Sequence, residues 1–124
     1  MLSYADLIHL GGYAAIEYTG GPILNFRMGR PDATEETTST ALTSHSAIDQ
    51  FSHTGLSKRE IVALMGRRTL GFLPPEEEQA GRWCQNPYVF DNTYFQELLN
   101  EHSKYIKLED DLSLLNDSEA RLIV

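Results

Sequence analysis

Histidines and serines, two residue types that often carry catalysis or hold metals, lack in this chain a spacing that joins them into a site. The four histidines, His9, His45, His53 and His102, are scattered along 124 residues, and no two are four positions apart. Metal centres need clustered ligands, so this spacing favours surface or capping roles. The serines lack the strand–turn–helix context of a nucleophile elbow, which leaves a Ser-His-Asp triad without support.

Acidic runs and glycine pairs are the next candidates for chemistry. The runs Glu76–Glu78 and Asp110–Asp111 could supply catalytic carboxylates, but charge runs of this kind are typical of solvated loops. The pairs Gly11-Gly12 and Gly20-Gly21 lack the preceding strand of a phosphate-binding loop. We interpret these glycines as sites of close packing and of helix termination.

A stronger signal lies around Arg68. Residues 66–71 read Gly-Arg-Arg-Thr-Leu-Gly and, with the helix-like run before them, resemble the proximal helix of the class I haem peroxidases. Ascorbate peroxidase and cytochrome c peroxidase are members of that family. The family sequence is Gly-Gly-His-Thr-Leu-Gly, and its His ligates the haem iron. Arg68 stands at that position, and a guanidinium stays protonated with no free lone pair for a metal.

The resemblance covers most of the chain but only the middle of the family fold. It begins at residues 2–8, passes through residues 20–30 and the helix of Arg68, continues over residues 82–92 and stops near Leu115. The N-terminal part that supplies the distal Arg, Trp and His for peroxide cleavage has no counterpart, and neither has the closing C-terminal helix. The resemblance therefore implies a mainly α fold, the proximal lobe of a haem-peroxidase-like helical domain.

The resemblance also implies which residues form the former proximal pocket. In the family, an Asp hydrogen-bonds the ligating His, and a Trp stacks nearby. Asp111 and Trp83 match those two residues. A buried carboxylate needs a partner, and Arg68 can offer it a bidentate one. We therefore expect Arg68 to form an ion pair with Asp111, with Trp83 filling core volume beside them.

A cation loop is a second implied site. Thr69, Cys84, Asn86 and Asp91 fall on the cation-binding positions of ascorbate peroxidases, with Cys84 in place of a Thr. Three of the four offer oxygen ligands that suit a monovalent cation. The alternative is that Asp91 simply caps the helix that follows it. The loop after the proximal helix is acidic where the family has an ascorbate-contacting Arg, which argues against substrate binding.

Composition narrows the function classes. Eighteen acidic residues against ten Lys and Arg give a net charge of −8, which disfavours binding to nucleic acid. No apolar run is long enough to span a bilayer, so the chain is not expected to be membrane-spanning itself. The single Cys cannot form an internal disulfide and weakly indicates a reducing compartment. No signal or transit peptide is evident at the start.

Helical periodicity and capping signals predict the elements. A capping pattern at Ser3 and Asp6 opens the first helix, and Gly20-Gly21-Pro22 ends it. Ser57 with Glu60 opens the helix that runs to about Arg68. The remaining assignments are an extended Ile23–Arg30, a linker Pro31–Ser46, short helices over Ala47–Phe51, Asp111–Leu115 and Ser118–Ile123, a loop Gly71–Gly81, and a helix after Asp91. The whole chain, residues 1–124, is read as one domain.

These observations lead to a main hypothesis and two alternatives. The main hypothesis is a non-enzymatic accessory subunit without haem, which docks on other protein subunits of an organellar membrane assembly, photosynthetic or respiratory, with the chloroplast favoured. Its physical motive is that half a fold exposes an apolar face, which usually means a partner. The first alternative is one half of a split haem peroxidase that detoxifies hydrogen peroxide. The second is a cation-binding module built on the loop of Thr69, Asn86 and Asp91.

Overall fold

The computed structural model describes residues 1–34, 46–76 and 80–124. The chain divides into two compact units, Met1–Ala41 and Leu42–Val124. The described parts are mainly helical with two very short strands, which confirms the predicted fold class. No helix in those parts combines the length and the apolar character that a membrane span requires. The interpretation as one domain stays a prediction, and most of the predicted linker Pro31–Ser46 lies outside the described residues.

The first unit is built on one helix, α1 (Tyr4–Tyr18), and the extended segment that follows it. As predicted, Ser3 caps the helix, because its Oγ accepts the Asp6 N–H at 3.0 Å. The Asp6 carboxylate instead accepts the Gly29 N–H at 2.9 Å, and it pairs with the Arg30 guanidinium at 3.1 Å. Asp6 thereby fixes the extended segment beside α1. The helix ends at the predicted place, where Gly20 has a φ of +96°.

The second unit contains five α-helices in its described residues, and a 3₁₀ turn extends the second of them. The elements are α2 (Ala47–Ser52), α3 (Lys58–Met65), the 3₁₀ turn (Gly66–Thr69), α4 (Thr93–Leu99), α5 (Glu109–Asn116) and α6 (Ala120–Ile123). The predicted capping box at Ser57 and Glu60 is confirmed. The predicted helix to Arg68 is correct in extent, but its last turn tightens into the 3₁₀ form.

Two of the predicted helix starts are wrong for local reasons. Helix α5 begins two residues early, because the Asp111 carboxylate accepts the Leu108 N–H at 2.8 Å. Helix α6 begins two residues late, because Asp117 accepts the Ala120 N–H at 2.9 Å and caps the helix there.

The predicted loop from Gly71 to Gly81 contains a small hairpin. Strands β1 (Phe72–Leu73) and β2 (Gly81–Arg82) pair antiparallel, with Phe72 opposite Arg82. Gly81 has a φ of +137°, and a Cβ there would meet Ile106 Cδ1 at 3.1 Å. Only glycine suits this combination of backbone angle and close approach.

The core of the second unit draws on most of its elements. Helices α3, α4 and α5 supply Met65, Tyr94 and Leu114, and Trp83 follows β2. Burying each large apolar side chain contributes about 1.5–3 kcal/mol. The core therefore fixes the 3₁₀ turn, α4 and the first turn of α5, which carry the site described next.

Candidate functional site

Arg68 lies in the 3₁₀ turn with its guanidinium between two carboxylates of α5. Its Nη1 donates to Asp111 Oδ2 at 2.6 Å, and its Nη2 donates to Asp110 Oδ2 at 2.7 Å. The Asp111 side chain is fully buried, and that of Arg68 is 11% exposed. The predicted ion pair between Arg68 and Asp111 is confirmed. The guanidinium is not bidentate to Asp111 alone, however, because its two nitrogens divide between the neighbouring acids.

The sequence analysis missed two residues of this site, Asp110 and Tyr94. It interprets Asp110 as part of a solvated charge run, yet Asp110 accepts a hydrogen bond from Arg68 and its side chain is only 20% exposed. The available signal was the Asp-Asp pair at the start of a predicted helix. Two acids placed there can both face one cation in the preceding elements, and the helix dipole favours negative charge at that end.

Asp111 is held by further donors on both oxygens. The Tyr94 hydroxyl donates to Oδ1 at 2.6 Å, and the Leu108 N–H donates to Oδ2, the oxygen that also accepts from Arg68. Burial raises the pKa of Asp111, while the hydrogen bond from Tyr94 and the charge of Arg68 oppose that rise. Burial and the nearby Asp111 charge raise the pKa of Tyr94, so its hydroxyl stays a donor.

Trp83 completes the group that we call the proximal cluster. The Arg68 Cζ lies 5.3 Å from the centroid of the Trp83 ring, within range of a cation–π interaction. The indole N–H is buried and has no hydrogen-bond acceptor in the part of the chain that the structure describes. The proximal cluster consists of Arg68, Trp83, Tyr94, Asp110 and Asp111.

The proximal cluster does not fit a haem ligand at position 68. Both terminal nitrogens of Arg68 donate to carboxylates, and a guanidinium has no lone pair for iron. A cavity of about 400 Å³ opens beside the cluster, lined mainly by apolar groups, including Leu70, Leu73, Trp83 and Leu108. An apolar cavity thus lies beside the cluster, whereas position 68 cannot supply a lone pair to iron.

The four residues of the predicted cation loop come together. The Thr69 hydroxyl donates to Asp91 Oδ1 at 2.9 Å, and the Cys84 thiol lies against the carbonyls of Thr69 and Asn86 at 3.1 and 3.5 Å. Asp91 also accepts the Thr93 N–H at the start of α4, although the N-cap residue of that helix is Asn92 and not Asp91. A bound cation stays a prediction. Within residues 1–34, 46–76 and 80–124, no three His, Cys, Asp or Glu side chains are grouped to hold a metal.

Two titratable groups of this loop have shifted pKa values. Burial raises the pKa of the Cys84 thiol, which keeps it protonated and unreactive. Burial also acts to raise the pKa of Asp91, but hydrogen bonds from Thr93 and Thr69 outweigh it, and the pKa is lowered. Asp91 is therefore ionised at neutral pH.

The acidic loop after the 3₁₀ turn is only partly described. Glu76 is exposed, whereas Glu77 and Glu78 lie outside the described residues, as does His45. The described residues nearby include one base that the sequence analysis did not consider. Arg82 lines an open cavity of about 460 Å³ with the exposed rings of Phe72 and Tyr88.

The chain belongs to the peroxidase family, because the family model described as Peroxidase matches residues 1–124. It is 42% identical over 130 residues to L-ascorbate peroxidase 3 of Arabidopsis thaliana, covering 99% of this chain and 45% of the relative. It is 39% identical to the probable L-ascorbate peroxidase 3, peroxisomal, of Oryza sativa subsp. japonica, covering 99% and 45%. It is 40% identical to L-ascorbate peroxidase 2, cytosolic, of Arabidopsis thaliana, covering 94% and 49%. The chain spans about half the length of these relatives.

These comparisons confirm the recognition of a class I peroxidase relative and overturn two other predictions. The expectations of a non-enzymatic chain and of haem loss are wrong, because the relatives are named as ascorbate peroxidases and belong to a family of haem enzymes. Both expectations gave Arg68 and the unmatched distal part of the fold more weight than the match over the whole chain. Two of these relatives are named peroxisomal and cytosolic, so the expected chloroplast location and photosynthetic assembly gain no support.

Proposed function

We propose that this chain forms the proximal half of an ascorbate-peroxidase-type haem site and acts with a complementary half of the fold to reduce hydrogen peroxide. The match to the peroxidase family over residues 1–124, at about 40% identity to ascorbate peroxidases, carries the proposal. The assembled proximal cluster supports it, since Trp83 and Asp111 meet in one buried network.

In this proposal the chain supplies the wall of the site. Trp83 offers an aromatic surface to the cavity, and Asp111 ties the 3₁₀ turn to α4 and α5 through Arg68 and Tyr94. A rigid wall of this kind holds its groups in place at no cost during reaction. Arg68 is given no part in iron ligation, because a guanidinium has no lone pair for a metal.

A complementary half is part of the proposal because the match covers 45% of Arabidopsis L-ascorbate peroxidase 3. The test is to co-express this chain with the parts of that relative that the alignment leaves out, and to purify the complex with hemin. Peroxide-dependent loss of ascorbate absorbance is expected for the mixture, well above the sum of the two halves with hemin. Replacing Asp111 with Ala should lower that activity.

Two results would contradict the proposal. One is a mixture no more active than free hemin, although the halves co-purify. The other is activity that appears only when Arg68→His replaces the wild-type chain in the mixture, which would mean that position 68 has to ligate iron. The free half with hemin and the complement with hemin are the matched controls.

Association with other protein is also proposed, and the first unit supports it. Helix α1 and the following segment expose large apolar side chains, among them Ile8 (77% exposed), Tyr18 (93%) and Ile23 (78%). Large apolar side chains that are exposed to this degree can mark interaction sites or cause aggregation. The isolated chain should therefore self-associate, and its complement should stabilise it by mass action. A strictly monomeric chain in analytical ultracentrifugation, unaffected by the complement, would contradict this.

The cytosol or the peroxisome is the proposed location. The support comes from the names of two relatives, which specify a peroxisomal and a cytosolic protein. Fractionation of cells that produce a tagged chain, with markers for both compartments and for plastids, would test it. Enrichment with the plastid marker would overturn the proposal.

A further inference from the structure

Three side-chain groups surround the guanidinium of Arg68 and together form a planar-cation site. Asp111 Oδ2 and Asp110 Oδ2 lie 2.6 and 2.7 Å from its two terminal nitrogens, and the face of Trp83 lies on a third side at 5.3 Å from Cζ. The Arg68 side chain is 11% exposed and that of Asp111 is fully buried. Two carboxylates and an aromatic face are the groups that bind a flat organic cation.

The two carboxylates need that cation. Asp110 and Asp111 are neighbours in the first turn of α5, and their charges repel each other where solvent screening is weak. Tyr94 and Leu108 donate hydrogen bonds to Asp111 but carry no charge. Arg68 is the base that the structure brings into contact with both acids. An uncompensated buried charge is strongly destabilising.

Arg67 provides a comparison within the same 3₁₀ turn. It is the same residue type at the adjacent position, but it is exposed. Its Nη1 donates to the Leu64 carbonyl at 3.3 Å and lies 3.7 Å from the Met65 sulfur. No carboxylate is paired with it among the described residues. Position, and not charge alone, therefore distinguishes Arg68.

We infer that Asp110, Asp111 and Trp83 form a binding site for a planar cation, and that Arg68 fills this site as a positioning residue. Once the Arg68 side chain is removed, this planar-cation site would accept other planar nitrogen cations. The inference rests on the proposed function only in that it assigns Arg68 its role in the proximal half. With Arg68 in the planar-cation site, the first turn of α5 is connected to the 3₁₀ turn and to Trp83. The Arg68 side chain presents a fixed positive charge where a neutral base would be needed to ligate iron.

Chemical rescue tests the inference without haem, so its outcome is independent of the peroxidase proposal. Arg68→Gly is compared with Arg67→Gly by thermal unfolding, each with and without millimolar methylguanidinium or imidazole, at pH 6 and pH 8.5. Methylguanidinium is a cation at both values. Imidazole, with a pKa near that of histidine at about 6.5, is mainly neutral at the higher one.

The expected pattern is specific. Methylguanidinium should raise the unfolding temperature of Arg68→Gly at both pH values and leave Arg67→Gly unchanged. Imidazole should rescue Arg68→Gly at pH 6, with an apparent affinity at pH 8.5 weaker by more than about tenfold, because little imidazolium remains. Equal imidazole rescue at both pH values would overturn the inference. Absence of rescue by methylguanidinium and by imidazole, or equal rescue of the Arg67 variant, would overturn it as well.

A second pair of variants covers failure of Arg68→Gly to fold. Arg68→Lys keeps a cation, whereas Arg68→Met keeps a similar length without charge. The Lys variant should unfold at a clearly higher temperature than the Met variant at pH 7. Equal stability of the two variants, or a more stable Met variant, would show that packing and not charge stabilises the side chain in the planar-cation site. Either result would also overturn the inference.

Discussion

Removing either partner of the Arg68–Asp111 pair should destabilise the second unit, and removing both should cost less than the sum of the two. Loss of one member of a buried pair typically costs ~3–5 kcal/mol. Asp111→Ala should lie at the upper end, because it leaves the Tyr94 hydroxyl and the Leu108 N–H without their acceptor. Arg68→Ala should lie at the lower end, since Asp111 keeps those two donors and Asp110 is partly solvated.

The assay is urea unfolding of the wild type, the two single variants and the double variant, followed by far-ultraviolet circular dichroism. The double variant should fall short of additivity by about 1–3 kcal/mol, the range for residues in direct contact. Arg67→Ala is the matched control and should change the free energy of unfolding by no more than about 0.5 kcal/mol. A cycle that is additive within about 0.5 kcal/mol would refute the coupling between Arg68 and Asp111.

Three further predictions follow from other contacts. Hydrogen bonds from the Gly29 backbone and Arg30 lower the pKa of Asp6. The stabilising effect of Asp6 is therefore present above its unfolded pKa of about 3.9 and is lost as pH falls through the folded value. In acid titrations followed by circular dichroism, Asp6→Asn should remove this pH-dependent component, and an unchanged titration profile would contradict the prediction. Without the complementary half, Arg68→His should oxidise ascorbate no faster than free hemin, because the proposed function leaves peroxide cleavage to that half. Turnover above that level in a spectrophotometric assay would refute the division into halves. Potassium chloride should raise the unfolding temperature relative to sodium chloride at equal ionic strength if the loop around Asp91 binds a monovalent cation, and Asp91→Asn should abolish the difference; identical curves for the wild type in both salts would refute the cation site.

Local signals predicted the helices well, because their causes lie within a few residues. The Ser57–Glu60 capping box needs only a spacing of three, and it starts α3 where expected. The hairpin of β1 and β2 could not be predicted in this way. Its second strand is fixed by Ile106, whose N–H donates to the Arg82 carbonyl at 3.1 Å from a distant part of the chain.

The site was predictable where the family pattern supplied the partner. Arg68 and Asp111 are 43 positions apart, and only the resemblance indicated that they meet. Asp110 was missed because sequence alone does not tell which oxygens a guanidinium will share. The predicted loss of activity and haem failed for a different reason. The chemistry of the Arg68 side chain shows that position 68 cannot ligate iron. It does not show which other residues contribute to the assembled site.

Trp83 provides an intrinsic fluorescent probe for the folding of this chain. It is the only tryptophan among 124 residues, and its ring lies against the Arg68 guanidinium. Arg68 in turn reaches a helix 43 residues further along. Helices form locally within about a microsecond, whereas contacts between distant segments must await loop closure. In stopped-flow refolding, tryptophan emission should therefore report when α5 docks, separately from the earlier dichroism signal of the helices themselves.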